Sequence, residues 1–275
     1  MTATTSPTVR RIVRSGDADL YVEQRGTGPD VLLLSGLGDT IECWQAQIDA
    51  LSDRYRITAF DTRGTGRTAA PAESISIPML AADAATVIEA MGLHDAHVMG
   101  FSGAGLVAQE LAISYPEAVG SLVLCTTFCE MDELAKRKID VWLQLAATSS
   151  SADEFLRGFL TYVYTREAHE DGRADRWLRE LADFEPAMSD EAFVATIEAL
   201  RSWSTKARLG GIRVPTLVIV GEVDPQFPRP YGEEIASRIG RSELVVMEGQ
   251  AHQPFQEVPE RYNALVTGFW ERVAS

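Results

Sequence analysis

The fold is decided by the stretch Ala96-His97-Val98-Met99-Gly100-Phe101-Ser102-Gly103-Ala104-Gly105. Its first six residues make a short, mostly apolar run of the length of a buried strand. From Ala104 to Ser114 the spacing is helical, and Tyr115-Pro116 closes it. A serine between such a strand and such a helix sits on a tight turn that lifts its hydroxyl clear of the sheet. The turn brings the strand and helix backbones close together, so small neighbours are required, and Gly100 and Ala104 supply them. The helix N-terminus also directs positive partial charge and free N–H groups at any anion formed beside the serine. Ser102 is therefore a candidate nucleophile, and the amide of Gly103 a candidate oxyanion donor. A Gly-x-Ser-x-small match is common by chance, and Ser is an ordinary helix N-cap. The surrounding chain decides between the two readings.

Outward from this turn, short apolar runs alternate with helical patterns, the sequence form of a mainly parallel sheet covered by helices. Residues 11–24 read as an antiparallel hairpin around Gly16-Asp17. Val31-Leu32-Leu33-Leu34 is a strand buried on both faces, followed by Ser35-Gly36-Leu37-Gly38 and a helix near residues 41–52. A strand at 56–60 runs into Asp61-Thr62-Arg63-Gly64-Thr65-Gly66. A helix at 77–91 ends on Gly92, and a strand follows at 119–125. The rhythm then stops. Residues 128–206 are helical in pattern and rich in aromatics, among them Trp142, Phe155, Phe159, Tyr162, Trp177, Phe184 and Trp203. It resumes with strands at 216–220 and 244–247 and helices at 231–239 and 259–273. The expected organisation is an α/β core formed by 1–127 and 207–275, interrupted by a helical lid at 128–206.

Two further residues complete the chemistry. Of the four histidines, His252 follows the strand at 244–247, at the carboxyl end where open parallel sheets place their sites. His94 and His97 read as surface residues at the opposite edge, and His169 as solvated in a charged stretch. Asp224 follows the strand at 216–220. It would accept the imidazole N–H of His252 and stabilise the imidazolium formed when Ser102 gives up its proton. The order Ser102, Asp224, His252 suits a nucleophile, acid and base on this kind of sheet. Glu222 and Glu130 are the competing acids.

The chain of 275 residues, 45% hydrophobic, is long enough for a sizeable core. A net charge of −15 argues against nucleic acid or anionic membrane as partners. The expected partner is a small-molecule substrate, and a homodimer is compatible with the composition. Cys43, Cys125 and Cys129 lack metal-ligand spacing and suit neither a disulfide framework nor zinc, and Cys125 reads as a buried thiol. Residues 1–7 carry no apolar leader and no run reaches membrane-spanning length, so a cytoplasmic location is expected.

With Ser102, Asp224 and His252 in place, the chain resembles the α/β-hydrolase superfamily over nearly its whole length. The resemblance also rests on residues 33–38, 61–67 and Gly249-Gln250-Ala251-His252. Within the superfamily it is similar to lidded enzymes such as 3-oxoadipate enol-lactonases and microbial carboxylesterases. It implies that the amide of Leu37 is the second oxyanion donor. Where the family commonly has His-Gly, this chain has Ser35-Gly36, so Ser35 is expected to shape the pocket. Trp142, Tyr162, Trp177 and Trp203 are the lid aromatics expected to face substrate, although aromatics at helical spacing are most often core. No metal or organic cofactor is expected. The leading function is cleavage of an ester or lactone of a small apolar molecule. The alternatives are C–C bond hydrolysis, acyl transfer or a natural-product tailoring step on the same residues, or a non-catalytic ligand receptor. Epoxide hydrolysis and dehalogenation would require a carboxylate where Ser102 stands.

Overall fold

The computed structural model describes residues 7–182 and 188–274. Phe184 and residues 1–6 lie outside them. The strands are β1 (Val9–Ser15), β2 (Ala18–Arg25), β3 (Asp30–Leu34), β4 (Arg56–Phe60), β5 (Ala96–Phe101), β6 (Val119–Cys125), β7 (Thr216–Gly221) and β8 (Ser242–Met247). They form one sheet in the order β1-β2-β4-β3-β5-β6-β7-β8. The hairpin and the β2–β4 pair are antiparallel, and every pair from β4 to β8 is parallel. The strand order reverses between β3 and β5. Such a reversal parts the loops at the carboxyl ends of the strands and opens a crevice there.

The helices in chain order are α1 (Gln45–Leu51), α2 (Ile77–Met91), α3 (Gly103–Ser114), α4 (Glu133–Thr148), α5 (Ala152–Leu160), α6 (Arg166–Glu170), α7 (Arg173–Ala182), α8 (Asp190–Ser202), α9 (Arg229–Arg238), α10 (Pro254–Glu257) and α11 (Pro259–Val273). Two apolar layers cover the sheet, and each strand feeds both through the period-two alternation of its side chains. On β3, Leu32 and Leu34 join α2, α3 and α9, whereas Val31 and Leu33 join α1 and α11. That double demand is why β3 is apolar at consecutive positions rather than alternating. The ends of α2 are equally legible: Ser76 accepts the N–H of Met79, and Gly92 closes the helix at φ 62°.

The region expected as a lid is helical throughout its described residues, from α4 to α8. It is not uniformly set apart from the core. Ala135, Ile139 and Trp142 of α4 and Ile197 and Leu200 of α8 pack into the same layer as α2 and α3. Residues of α5 to α7 form a small cluster of their own around Leu160, Val163, Tyr164 and Leu178.

One expectation is corrected. His97 is not a surface residue. It lies inside β5 with its ring stacked on Trp270, centroids 5.2 Å apart, and Nδ1 is 2.8 Å from Ser121 Oγ. A polar residue in a strand covered on both faces has no route to solvent, and burial pushes this imidazole down from 6.5 to about 4. The unfolded chain thus binds a proton between those two values that the folded chain refuses. Stability is full above pH 6.5 and is lost as pH falls towards 4, by up to about 3 kcal/mol from this group. Between about pH 7 and pH 4.5, the urea-unfolding free energy of the wild type should fall about 2–3 kcal/mol more than that of His97→Phe. Parallel pH profiles for the two proteins would remove His97 from this role.

Candidate active site

Ser102 occupies the turn between β5 and α3 with φ 53°, a conformation uncommon for a residue bearing a side chain. Glycines make that turn sterically feasible. A Cβ on Gly100 would lie 2.7 Å from the carbonyl of Ala104, and one on Gly105 would collide with Thr127. The strained residue is held from several sides. Its N–H donates to Cys125 O at 3.0 Å, and its carbonyl accepts Thr127 Oγ1 at 2.6 Å and the N–H of Gly105 at 2.9 Å.

The loops after β7 and β8 bring the partners. Ser102 Oγ is 2.9 Å from His252 Nε2, and His252 Nδ1 is 2.9 Å from Asp224 Oδ2. A carboxylate only accepts, so Nδ1 carries the proton and Nε2 is left to receive one from the serine hydroxyl. All three groups are nearly buried. Asp224 is oriented in turn, its Oδ1 accepting the amides of Gln226 at 2.7 Å and Phe227 at 3.3 Å. The histidine backbone is clamped as well. Its N–H donates to Val163 O at 3.0 Å, and its carbonyl accepts Thr126 Oγ1 at 2.8 Å. The competing acids stand elsewhere: Glu222 accepts the N–H of Gly249, and Glu130 faces Lys206.

Leu37 and Gly103 both lie on the wall of the cavity above Ser102. Residues Gly36 to Asp39 make a turn closed by the Asp39 N–H on Gly36 O at 3.2 Å, with Gly38 at φ 77° in the third position. A turn of type II has that demand at that position, and glycine meets it without strain. Leu37 therefore sits at the turn's apex, its amide outside the turn's own hydrogen bond. Gly103 is the first residue of α3, where a helix leaves its N–H groups without intrahelical partners.

The cavity holds about 410 Å³ and is walled mainly by Phe128, Trp142, Phe155, Phe159, Phe193 and Phe227. Of the aromatics expected to face it, Trp142 does so, and its indole N–H is buried without a partner. Tyr162, Trp177 and Trp203 are off the wall, and each has a packing reason. Trp177 packs against Tyr164, rings tilted by 30° and centroids 4.5 Å apart, beside the cluster of α5 to α7. Trp203 donates its indole N–H to Glu110 Oε2 at 2.9 Å, tying the returning chain to α3. Tyr162 lies edge-on to Trp142 at 6.3 Å, on the far side of that ring's neighbours, and its carbonyl accepts Gln226 Nε2. Ser35 is also absent from the cavity wall. Its hydroxyl donates to Thr40 O at 3.2 Å and receives the Cys43 thiol, so it fastens the loop from behind.

Sequence reasoning missed Asp39, Gln226 and Gln253, all on the wall. Asp39 is the most consequential, because burial pushes its carboxyl up to about 7, only partly offset by the nearby His252. A charged residue directly after the Gly-Leu-Gly of the loop was the available signal. Cys125 is a buried free thiol, as expected. Among the described residues, no three His, Cys, Asp or Glu side chains gather in a way that could hold a metal ion, and no helix is long and apolar enough to cross a membrane.

Residues 29–258 match the family model described as alpha/beta hydrolase fold. The RutD protein of Azorhizobium caulinodans, designated a carbamate hydrolase, is 30% identical over 92% of this chain and 96% of its own. A pimeloyl-[acyl-carrier protein] methyl ester esterase of Aeromonas hydrophila is 29% identical over 90% of this chain and 98% of its own. The crystal structure of an enol-lactonase from Burkholderia xenovorans LB400 superposes with a TM-score of 0.84 at 23% identity, covering 96% of this chain and all (100%) of that one.

The arrangement around Asp224 generates a test. Asp224→Asn retains the size of the side chain but favours the wrong imidazole tautomer, and kcat should fall on the order of 10⁴-fold on any ester that the wild type turns over. Glu130→Gln and Glu222→Gln should leave turnover close to that of the wild type. A mild effect of Asp224→Asn beside a severe effect of either glutamate variant would reassign the acid.

Proposed function

The chain belongs to the α/β-hydrolase fold family and is an enzyme of hydrolase type, and from that premise we propose that it cleaves esters or lactones of apolar small molecules through an acyl-enzyme on Ser102. The observation that carries this reading is the pair of 2.9 Å contacts linking Ser102, His252 and Asp224 at the floor of an apolar cavity. Within it, Ser102 Oγ attacks the substrate carbonyl while His252 takes its proton. The amides of Leu37 and Gly103 receive the oxyanion. Collapse breaks the C–O bond, and His252 returns the proton to the leaving alcohol. Water then repeats the sequence on the acyl-enzyme, His252 again taking the proton, and the carboxylic acid departs.

The cavity wall favours an apolar substrate over a small polar one. The named relatives, an ester hydrolase and a designated carbamate hydrolase, act on carbonyl compounds of the same electrophilic kind. Carbamates therefore belong in the substrate screen beside esters and lactones.

Two measurements test the proposal. Intact-mass analysis after treatment with a fluorophosphonate should give one adduct on the wild type and none on Ser102→Ala. A folded wild type that stays unmodified would contradict an activated serine. In a series of p-nitrophenyl esters from acetate upward, kcat/KM should rise about three- to fourfold per added methylene until the cavity fills. A flat or falling series would contradict an apolar acyl or alcohol site.

A further inference from the structure

The cavity's polar groups are unusual in sign. Among the described residues its wall contains Asp39 and Asp190 and no lysine or arginine. Asp39 belongs to the turn that presents Leu37, deep beside the reacting groups. A Cβ on Gly36 would come within 3.1 Å of Asp39 Oδ2 and 2.8 Å of the Phe101 ring, and that ring is 5.0 Å from His252. Asp39 itself is half-buried, and no side-chain hydrogen bond or ion pair to its carboxylate is found among the described residues, whereas the fully buried carboxylates are engaged. Asp61 is held by Arg67 and the amide of Ile41, Asp83 by Arg63, and Asp224 by His252. A second acceptor points the same way. Gln253, 7% exposed and on the same wall, has its Oε1 buried with no partner. Buried polar groups in folded proteins are ordinarily satisfied, and an ungratified acceptor in a ligand cavity implies a donor on the ligand. Among the described residues, Trp142 is the only side chain on this wall with a buried, unpartnered N–H, and it is uncharged.

We propose that Asp39 is a specificity-determining residue that recognises a protonated amine on an otherwise apolar substrate or product, with Gln253 as the auxiliary acceptor. This rests on the hydrolase reading for the identity of the cavity, but it concerns binding and is separable from turnover. An ammonium group supplies the donors that both acceptors lack. It also supplies the only charge that an acidic, cation-free cavity in a chain of net charge −15 attracts. The raised position of the Asp39 carboxyl, about 7, is what burial without a cationic partner produces, and a bound ammonium would hold it ionised.

The experiment compares two probes of equal length, n-hexylamine and 1-hexanol. Their binding is measured by calorimetry to the full chain carrying Ser102→Ala, with and without Asp39→Asn. At about pH 8.5 the amine remains protonated, well below a lysine-like pKa, and Asp39 is ionised. The ammonium should bind about tenfold or more tightly than the alcohol, as a charge-assisted hydrogen bond in a shielded site implies. Asp39→Asn should remove most of that preference while hexanol affinity stays within about twofold, which also certifies that the cavity is intact. Equal affinity for the two probes before the substitution would overturn the proposal. So would a preference that survives it, because attraction would then come from the net charge alone. Failure of ester turnover in the wild type would instead count against the hydrolase reading and leave these binding outcomes decisive in their own right.

Discussion

The rest of the structure depends on the close approach of β5 and α3 at the Ser102 turn. No side chain fits on Gly100 between the strand and Ala104, nor on Gly105 against Thr127. The φ of 53° at Ser102 costs on the order of 1–3 kcal/mol and persists only because its surroundings over-determine it. The bonds from Cys125 O, Thr127 Oγ1 and the Gly105 N–H provide that determination. Because β3 lies beside β5 at the reversal of strand order, the turn that carries Leu37 arrives next to the serine without a further device. The topology therefore brings the Leu37 and Gly103 backbones and the Ser102 hydroxyl to one wall, and side-chain chemistry refines what backbone geometry has arranged.

The helical insertion is part of the same construction. Val163 O receives the backbone N–H of His252, Tyr162 O receives Gln226 Nε2, and Lys138 Nζ donates to the carbonyls of Pro225 and Gln226. The loops carrying the base and the acid are thus fastened to the insertion rather than only to each other. Its helices differ in attachment, since α4 and α8 share the main apolar layer while α5 to α7 pack largely among themselves.

What was legible in the sequence was whatever depends on nearest neighbours along the chain. Apolar runs fixed the strands, helical spacing and Ser76 or Gly92 fixed the ends of α2, and strand-end position singled out Asp224 and His252. What was not legible was the direction of individual side chains, which depends on distant partners. Trp177 and Trp203 are aromatic and lie in the insertion, yet Tyr164 and Glu110 claim them. Ser35 sits where a pocket residue is expected, but Thr40 O and Cys43 draw its hydroxyl backwards. His97 was within reach of a stricter argument: a strand apolar on both faces leaves no exposed position for its polar member. Asp39 was overlooked because an acid in a loop is ordinarily solvated, and only the insertion above it makes the site a cavity.

The polarity of that cavity bears on turnover as well as on recognition. Hydrolysis of a neutral ester or lactone at Ser102 produces a carboxylic acid that ionises at neutral pH. In the proposed reaction a carboxylate formed there meets apolar rings, Asp39 and Asp190, and, among the described residues of the wall, no lysine or arginine. The Leu37 and Gly103 amides are its donors, without a fixed cation beside them to offset the rest of its desolvation. An arginine in the same wall would strengthen binding of anionic substrates but would retain the anionic product with them. In the proposed mechanism, binding energy is drawn from apolar contact that substrate and transition state share, and the developing charge is assigned to the two backbone amides rather than to a fixed cation. In that reaction the same lack of lysine and arginine among the described wall residues that makes Asp39 conspicuous also leaves an anionic product without an ion pair to hold it.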